Sequence, residues 1–263
     1  MNVVEFLGLQ AAPGSQRWQM TIAREHCGGR DSIYGGCGLA ASIEAAEACT
    51  NRPTLFASCQ FLGPARLGEC LDLDVHLSSA GRAVTHARVI GSVDGKETFI
   101  TLISLGERSF PATGTWNRMP DVPGPEGLPA RYILESNRGG LREILEERAV
   151  TDDPDGIMRN PDGRAAVWAR LPGGVPASAS ALAIIGDEVS TGTSAVIEPD
   201  MQAPSIDNTL RVVRPRACEW VLAEIDLHAA ERGFAHGTVN LWTPDGELLG
   251  IASQTGALRI RGT

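Results

Sequence analysis

The stretch SIYGGCGLAASIEAAEA, residues 32–48, decides the fold. Gly36, Gly38 and Ala41 spell G-x-G-x-x-A, a near match to the dinucleotide-binding fingerprint. That fingerprint needs a buried apolar strand before it and an acidic residue about 20 positions after it. The preceding REHCGGRDSIY, residues 24–34, is polar and glycine-rich, a poor central strand. Beyond residue 50 the chain runs into a succession of long strand-like segments, not strands alternating with helices. The stretch therefore reads as a helix over 36–50. Leu39, Ile43 and Ala46 mark one face, and Ala40, Ala41, Ala45 and Ala48 keep the other positions small. Such a helix suits close wrapping by a curved antiparallel sheet.

The pattern around this helix occurs twice. Pro64 and Pro215 lie 151 residues apart, and so do Asp94-Gly95 and Asp245-Gly246. Both Asp-Gly pairs sit between strand-like runs, a hairpin-turn signal. Leu71, Leu73, Val75 and Leu77 alternate with polar residues, as do Val221, Ala223, Ile225 and Leu227, but at an offset of 150. A bulge or a one-residue gap is expected between the two offsets. A second helix is expected at about 177–190. The shared order of helix, strand, Pro turn, long strand, Asp-Gly hairpin and strand indicates a duplicated unit. Residues 109–163, with PDVPGPEGLP (120–129) and TDDPDGIMRNPDG (151–163), read as a linker with one helix-like run near 141–148. The expected organisation is an N-terminal unit over 1–108, a linker over 109–163 and a C-terminal unit over 164–263.

Composition narrows the function. The net charge of −9 argues against general nucleic-acid binding and against charge-driven docking on anionic membranes. No apolar run approaches the roughly 18–20 residues of a membrane span. The opening MNVVEFLGLQ has no basic segment of the secretory kind. The six cysteines form no C-x-x-C pair and read as free thiols, so a cytoplasmic location is expected. The five histidines show no metal spacing, and no G-x-S-x-G elbow is present. No cofactor is expected.

The segments YGGCGLAASIEAA, FLGPARLGECLDLDVHLSSAGRAVTHARVIGSVDGK, SIDNTLRVVRP and GFAHGTVNLWTPDGELLGIASQTGALRI together resemble acyl-CoA thioesterase II-like proteins of the thioesterase-like superfamily. The resemblance covers nearly the whole chain and is weakest in the linker. It implies an α+β fold of tandem hotdog units, a double hotdog with two antiparallel sheets each wrapped around a central helix. It also implies hydrolysis of an acyl-CoA substrate by a water held between an Asp, a Gln and a Thr or Ser. Asp207 and Gln254 stand at the family's Asp and Gln positions. At the third position no Thr or Ser is found, and His228 is the candidate substitute. At the 151 offset the first half carries Phe56 and Ile103 opposite Asp207 and Gln254, so one site per chain is expected.

The chemistry of this set is coherent. A carboxylate can take the water's proton, and a carboxamide can orient the water without changing charge. The amides of Gly36 and Cys37 at the start of the first helix are candidates to stabilise an oxyanion. Plainer readings stand beside these. Asp207 follows a Pro-Ser turn and fits a solvated strand face, Gln254 and His228 can be ordinary strand residues, and the glycines can serve helix–sheet packing. Arg82, Arg214 and Arg216 are candidates for CoA binding by charge alone. The competing reading is a non-catalytic acyl-CoA or lipid-binding double hotdog, favoured by the missing Thr or Ser. Paired sheets within one chain leave further association into a homo-oligomer open.

Overall fold

Helix α2 (Gly35–Thr50) begins one residue earlier than expected and lies almost wholly inside the protein. Ten of its residues, from Gly36 to Ala46, are buried, which explains the run of Gly and Ala: neighbours approach it from nearly every side. Leu39 and Ile43 are fully enclosed, each contributing about 1.5–3 kcal/mol of apolar burial. Its polar Ser42 is not orphaned, because its hydroxyl donates to Gly38 O and accepts from Thr101 Oγ1, both at 3.0 Å. Asn51 ends the helix with φ of 50°, a left-handed conformation that Asn tolerates.

The computed structural model describes residues 1–29, 31–197, 203–214 and 216–259; Pro215, one of the repeat marks, lies outside them. A short helix α1 (Val3–Leu7) and strands β1 (Gln10–Ala11) and β2 (Arg17–Thr21) precede α2. Then come β3 (Thr54–Phe61), β4 (Cys70–Ala80), β5 (Val84–Val93) and β6 (Lys96–Gly106). Helix α3 (Leu141–Ile144) and strand β7 (Glu146–Ala149) lie in the stretch expected as a linker. The second unit has β8 (Arg164–Arg170), α4 (Ala179–Ile185), α5 (Val189–Val196), β9 (Ser205–Val212), β10 (Val221–Glu231), β11 (Phe234–Trp242) and β12 (Leu248–Ala257). Among the described residues no helix is long and apolar enough to cross a membrane.

The strands join into one twelve-stranded sheet in the order β1-β2-β4-β5-β6-β3-β9-β12-β11-β10-β8-β7. The two halves meet edge to edge, with β3 antiparallel to β9 from Phe56↔Arg211 to Gln60↔Asp207. Ser58 and Thr209 share a 2.8 Å hydroxyl contact across this seam. Pairing the two central edges leaves only β1 and β7, two and four residues long, as outer strands, which limits the exposed ladder.

The duplicated pattern is visible in detail. Register shifts fall at Leu77/Ser79 in the first unit and at Leu227/Ala229 in the second, so equivalent strands are bulged at equivalent places. The change of offset from 150 to 151 lies in the following turn. Asp94-Gly95 make a two-residue hairpin with φ of 50° and 75°, whereas residues 243–247 separate β11 from β12. The second helix departs from expectation. In place of one helix over 177–190, α4 and α5 are separated by Gly186, Asp187 and Glu188. A Cβ on Gly186 would lie 2.8 Å from Leu182 O and 3.1 Å from Ala252 Cβ, so the chain can pass the sheet this closely only with glycine. The helix-like run at 141–148 is one turn of α3, then β7, which pairs with β8.

Candidate active site

The break between α4 and α5 holds Asp187 in the interior, 4 % exposed. Its carboxylate is met on both oxygens. The Gly36 amide, in the first turn of α2, donates to Oδ2 at 2.7 Å. The Gln254 Nε2 group donates to Oδ1, and the Ser205 hydroxyl stands 3.4 Å from the same oxygen. Gln254 Nε2 also donates to Ser205 Oγ at 3.2 Å. Its Oε1 accepts from Val189 N at 2.9 Å, which fixes which end of the carboxamide faces Asp187. Asp187, Gln254 and Ser205 thus form one cluster on three elements: the α4–α5 break, β12 and the start of β9.

Burial pushes the Asp187 carboxyl above the usual aspartate range. Gln254, Arg142 and the Gly36 amide pull against that rise, and Glu188 adds to it. A carboxylate raised in this way is a stronger base than a solvated one while still able to ionise.

Asp187, Ser205 and Gly35 line a cavity of about 700 Å³. One wall comes from residues 28–29, 32–35 and 61–66 of the first half, and the other from 131–134 and 156–158 of the connecting stretch. Residues of α5 and of the approach to β9 also line it, as do Arg142 and Glu147. Its lining mixes apolar side chains such as Phe61, Ile133 and Met158 with the polar group at Asp187, as ligand sites generally do. Gln254 stands behind Asp187 and does not line the cavity.

Of the residues singled out in the sequence, Gln254 and Gly36 are brought to this cluster and Asp207 is not. Asp207 pairs with Thr255 and accepts that residue's amide at 2.8 Å. Its neighbour Asn208, 1 % exposed, is the residue directly opposite Gln254, so Asp207 projects from the other face of the sheet. A bulge makes the difference: Thr255 opposes Asp207, but Gly256 opposes Ser205, leaving Ile206 unpaired and 41 % exposed. That extra residue turns Ser205 to the helix side. His228 is exposed on β10, with Nε2 2.9 Å from Thr238 Oγ1, and does not stand in for the Thr or Ser. The hydroxyl beside Asp187 and Gln254 is that of Ser205.

The expected Gly36–Cys37 amide pair is also corrected. Because α2 starts at Gly35, the Cys37 amide is already bonded to Tyr34 O at 2.9 Å, and Gly36 is engaged by Asp187. The Cys37 thiol is buried and held protonated by that burial. Among the described residues the amide of Gly35, the first of the helix, has no acceptor. Arg214 and Arg216 form surface pairs with Glu247 and Asp245, and neither they nor Arg82 line the cavity.

Asp187 left two signals in the sequence. It lies 151 residues from Gly36, the offset of the repeat itself, and Asp187-Glu188 interrupt the apolar run ALAII after a glycine. Ser205 left none, because a bulge in a single strand has no local signature here.

The family described as acyl-CoA thioesterase C-terminal domain matches residues 117–258, and that described as acyl-CoA thioesterase N-terminal domain matches residues 22–106. A candidate thioesterase from Novosphingobium aromaticivorans is 30 % identical, with a TM-score of 0.85 over 95 % of this chain and 100 % of that one. A hot dog fold protein from Alicyclobacillus acidocaldarius has a TM-score of 0.86 at 17 % identity, covering 98 % of this chain and 97 % of that one. An acyl-CoA thioesterase II from Mycobacterium marinum has a TM-score of 0.78 at 21 % identity, covering 99 % of each chain. No curated protein matches. The double hotdog expected from the sequence is the fold of these similar structures.

Proposed function

The chain belongs to the acyl-CoA thioesterase family, and from that membership we propose that it hydrolyses an acyl-CoA thioester with Asp187 as general base. The observation that carries this reading is the convergence of Asp187, Gln254 and Ser205 at the wall of one cavity. An Asp, a Gln and a hydroxyl residue are the set that the resemblance calls for. Ser205 answers the gap that favoured a binding protein.

A water hydrogen-bonded by the Asp187 carboxylate and the Ser205 hydroxyl attacks the thioester carbonyl carbon. Its proton passes to Asp187 as the new C–O bond forms. Gln254 keeps its charge throughout, so it orients Asp187 without competing for the proton. The Gly35 amide, at the positive end of α2, donates to the developing oxyanion. Collapse of the tetrahedral intermediate breaks the C–S bond. The leaving thiolate takes the proton held by Asp187, giving a carboxylic acid and free CoA.

The test is CoA release from a panel of acyl-CoAs, short, long, branched and aromatic, by wild type and Asp187→Asn. Turnover in wild type and its loss in the folded variant support the proposal. Saturable binding with no turnover on any member would instead establish the acyl-CoA-binding reading.

A further inference from the structure

Resting on Asp187 as the general base, we infer that Arg142 is a positioning residue for it: the guanidinium fixes the Asp187 peptide and supplies the counter-charge that the buried carboxylate faces. Arg142 belongs to α3, in the stretch between the two repeated units. It is 6 % exposed, a burial that an arginine tolerates only with partners on its donors.

Those partners surround Asp187. Arg142 Nη2 donates to Asp187 O at 3.2 Å and to the Tyr34 hydroxyl. Tyr34 in turn donates to the same Asp187 O, so both lone pairs of that carbonyl are taken. The guanidinium also lies 5.0 Å from the Tyr34 ring centre. Tyr34 lies two residues before Gly36, whose amide donates to the carboxylate. Arg142 therefore clamps Asp187 at its main chain and, through Tyr34, braces the helix start that meets its side chain. Nη1 turns the other way, to Glu147 Oε1 at 2.9 Å and to Glu188. A lysine has a single point of charge and cannot span these four groups.

Charge gives Arg142 a second role. Around Asp187 stand Arg142 and Arg131 as cations and Glu188 and Glu147 as anions. Tyr34, Cys37 and Cys59 also face it, and burial holds each of them protonated, Cys59 with its pKa pushed up to about 12. Arg131 is occupied by Glu147 at 3.1 Å, Glu188 at 3.2 Å and the Thr191 hydroxyl at 2.7 Å. Two cations thus face three carboxylates once Asp187 ionises. Among the described residues Arg142 is the one cation with a hydrogen bond to Asp187.

The experiment tracks the Asp187 carboxyl directly. The full chain is labelled with aspartate carrying ¹³C at the γ carbon, the Asp187 resonance is identified by its loss in Asp187→Asn, and its titration midpoint is measured. The main variant is Arg142→Gln/Glu147→Gln, which removes one buried charge of each sign and keeps the Arg131–Glu188 pair. Its midpoint is expected to rise by about one pH unit or more, as for loss of an opposite charge nearby. The acid limb of kcat is expected to rise with it. Arg142→Lys keeps the charge and loses the fork, so kcat should fall at unchanged KM with the acid limb in place. An unmoved midpoint in the folded double variant overturns the inference and leaves Asp187 as base to the Asp187→Asn assay. A moved midpoint with full turnover in Asp187→Asn sinks the base reading instead. If the double variant does not fold, wild-type kcat in Arg142→Lys overturns the positioning role.

Discussion

The Gly36 amide donates to Asp187 Oδ2 at 2.7 Å, and the two residues are 151 positions apart. That is the offset separating the Asp-Gly hairpin pairs of the two units. Corresponding positions of a duplicated chain therefore meet, one giving a helix amide and the other a carboxylate. The site lies where the repeats face each other.

Asp187→Asn should lower CoA release by about 10²–10⁴-fold, the usual worth of a positioned general base. Asp207→Asn should leave it within a few-fold, because that carboxylate bonds to Thr255 N on the opposite face. Equal losses in both variants would count against the assignment of the base.

Two neighbouring glycines should behave differently. A Cβ at Gly36 would lie 2.6 Å from Ala183 O and 2.9 Å from Ile184 Cα, both backbone atoms. Gly36→Ala is expected to destabilise the fold by about 1–3 kcal/mol, measured by urea unfolding. A Cβ at Gly35 would instead meet Phe61 Cζ at 2.8 Å and Asp187 Oδ2 at 2.9 Å. Gly35→Ala should cost activity first, since both contacts are side-chain ends, one of them the proposed base.

Gln254→Glu puts a second carboxylate against Asp187 where an amide now donates. Two carboxylates in contact share one proton, so the acid limb of kcat should move to higher pH. Gln254→Ala leaves the Val189 amide without its partner, at a cost of about 1–3 kcal/mol, visible in the melting temperature.

The raised Asp187 carboxyl predicts a sign for pH dependence. Turnover should fall, as pH drops, at a midpoint above the ordinary aspartate range, because only the ionised form takes a proton. For stability, the folded state holds its proton to higher pH than the unfolded chain does. Asp187 thus favours folding most at acid pH, and that contribution is lost as pH rises through the folded-state value. Denaturation at several pH values should show the difference between Asp187→Asn and wild type growing in the variant's favour as pH rises.

Splitting the chain should expose the seam. A fragment over 1–108 presents the β3 edge that now pairs with β9 from Phe56 to Gln60. It is expected to dimerise or aggregate, as seen by light scattering, and mixing with 109–263 should suppress this.

Much of the architecture was legible because its signals are local and repeated. The small-residue helix at 35–50, the paired hairpins and the alternating strands arise from residue size, turn chemistry and period, and α2 lay within one residue of its expected start. Gln254 was legible through the resemblance of its segment, and Gly36 through the glycines themselves. The shape of the second helix was not, since its break at Gly186 answers the closeness of Leu182 O and Ala252.

The sequence by itself determined that two similar units each wrap a helix in antiparallel strands, and that Gly36 opens one of those helices. Only the tertiary structure decided which acid meets Gln254 at the cavity wall. Asp187 and Asp207 are both plausible in one dimension. One unpaired residue, Ile206, turns Ser205 inward and keeps Asp207 outside, and one helix break turns Asp187 toward Gln254. The contribution of Arg142 was hidden for the same reason. Its partners Tyr34, Glu147 and Glu188 lie on three different segments, and only folding brings their charges and dipoles within hydrogen-bonding reach.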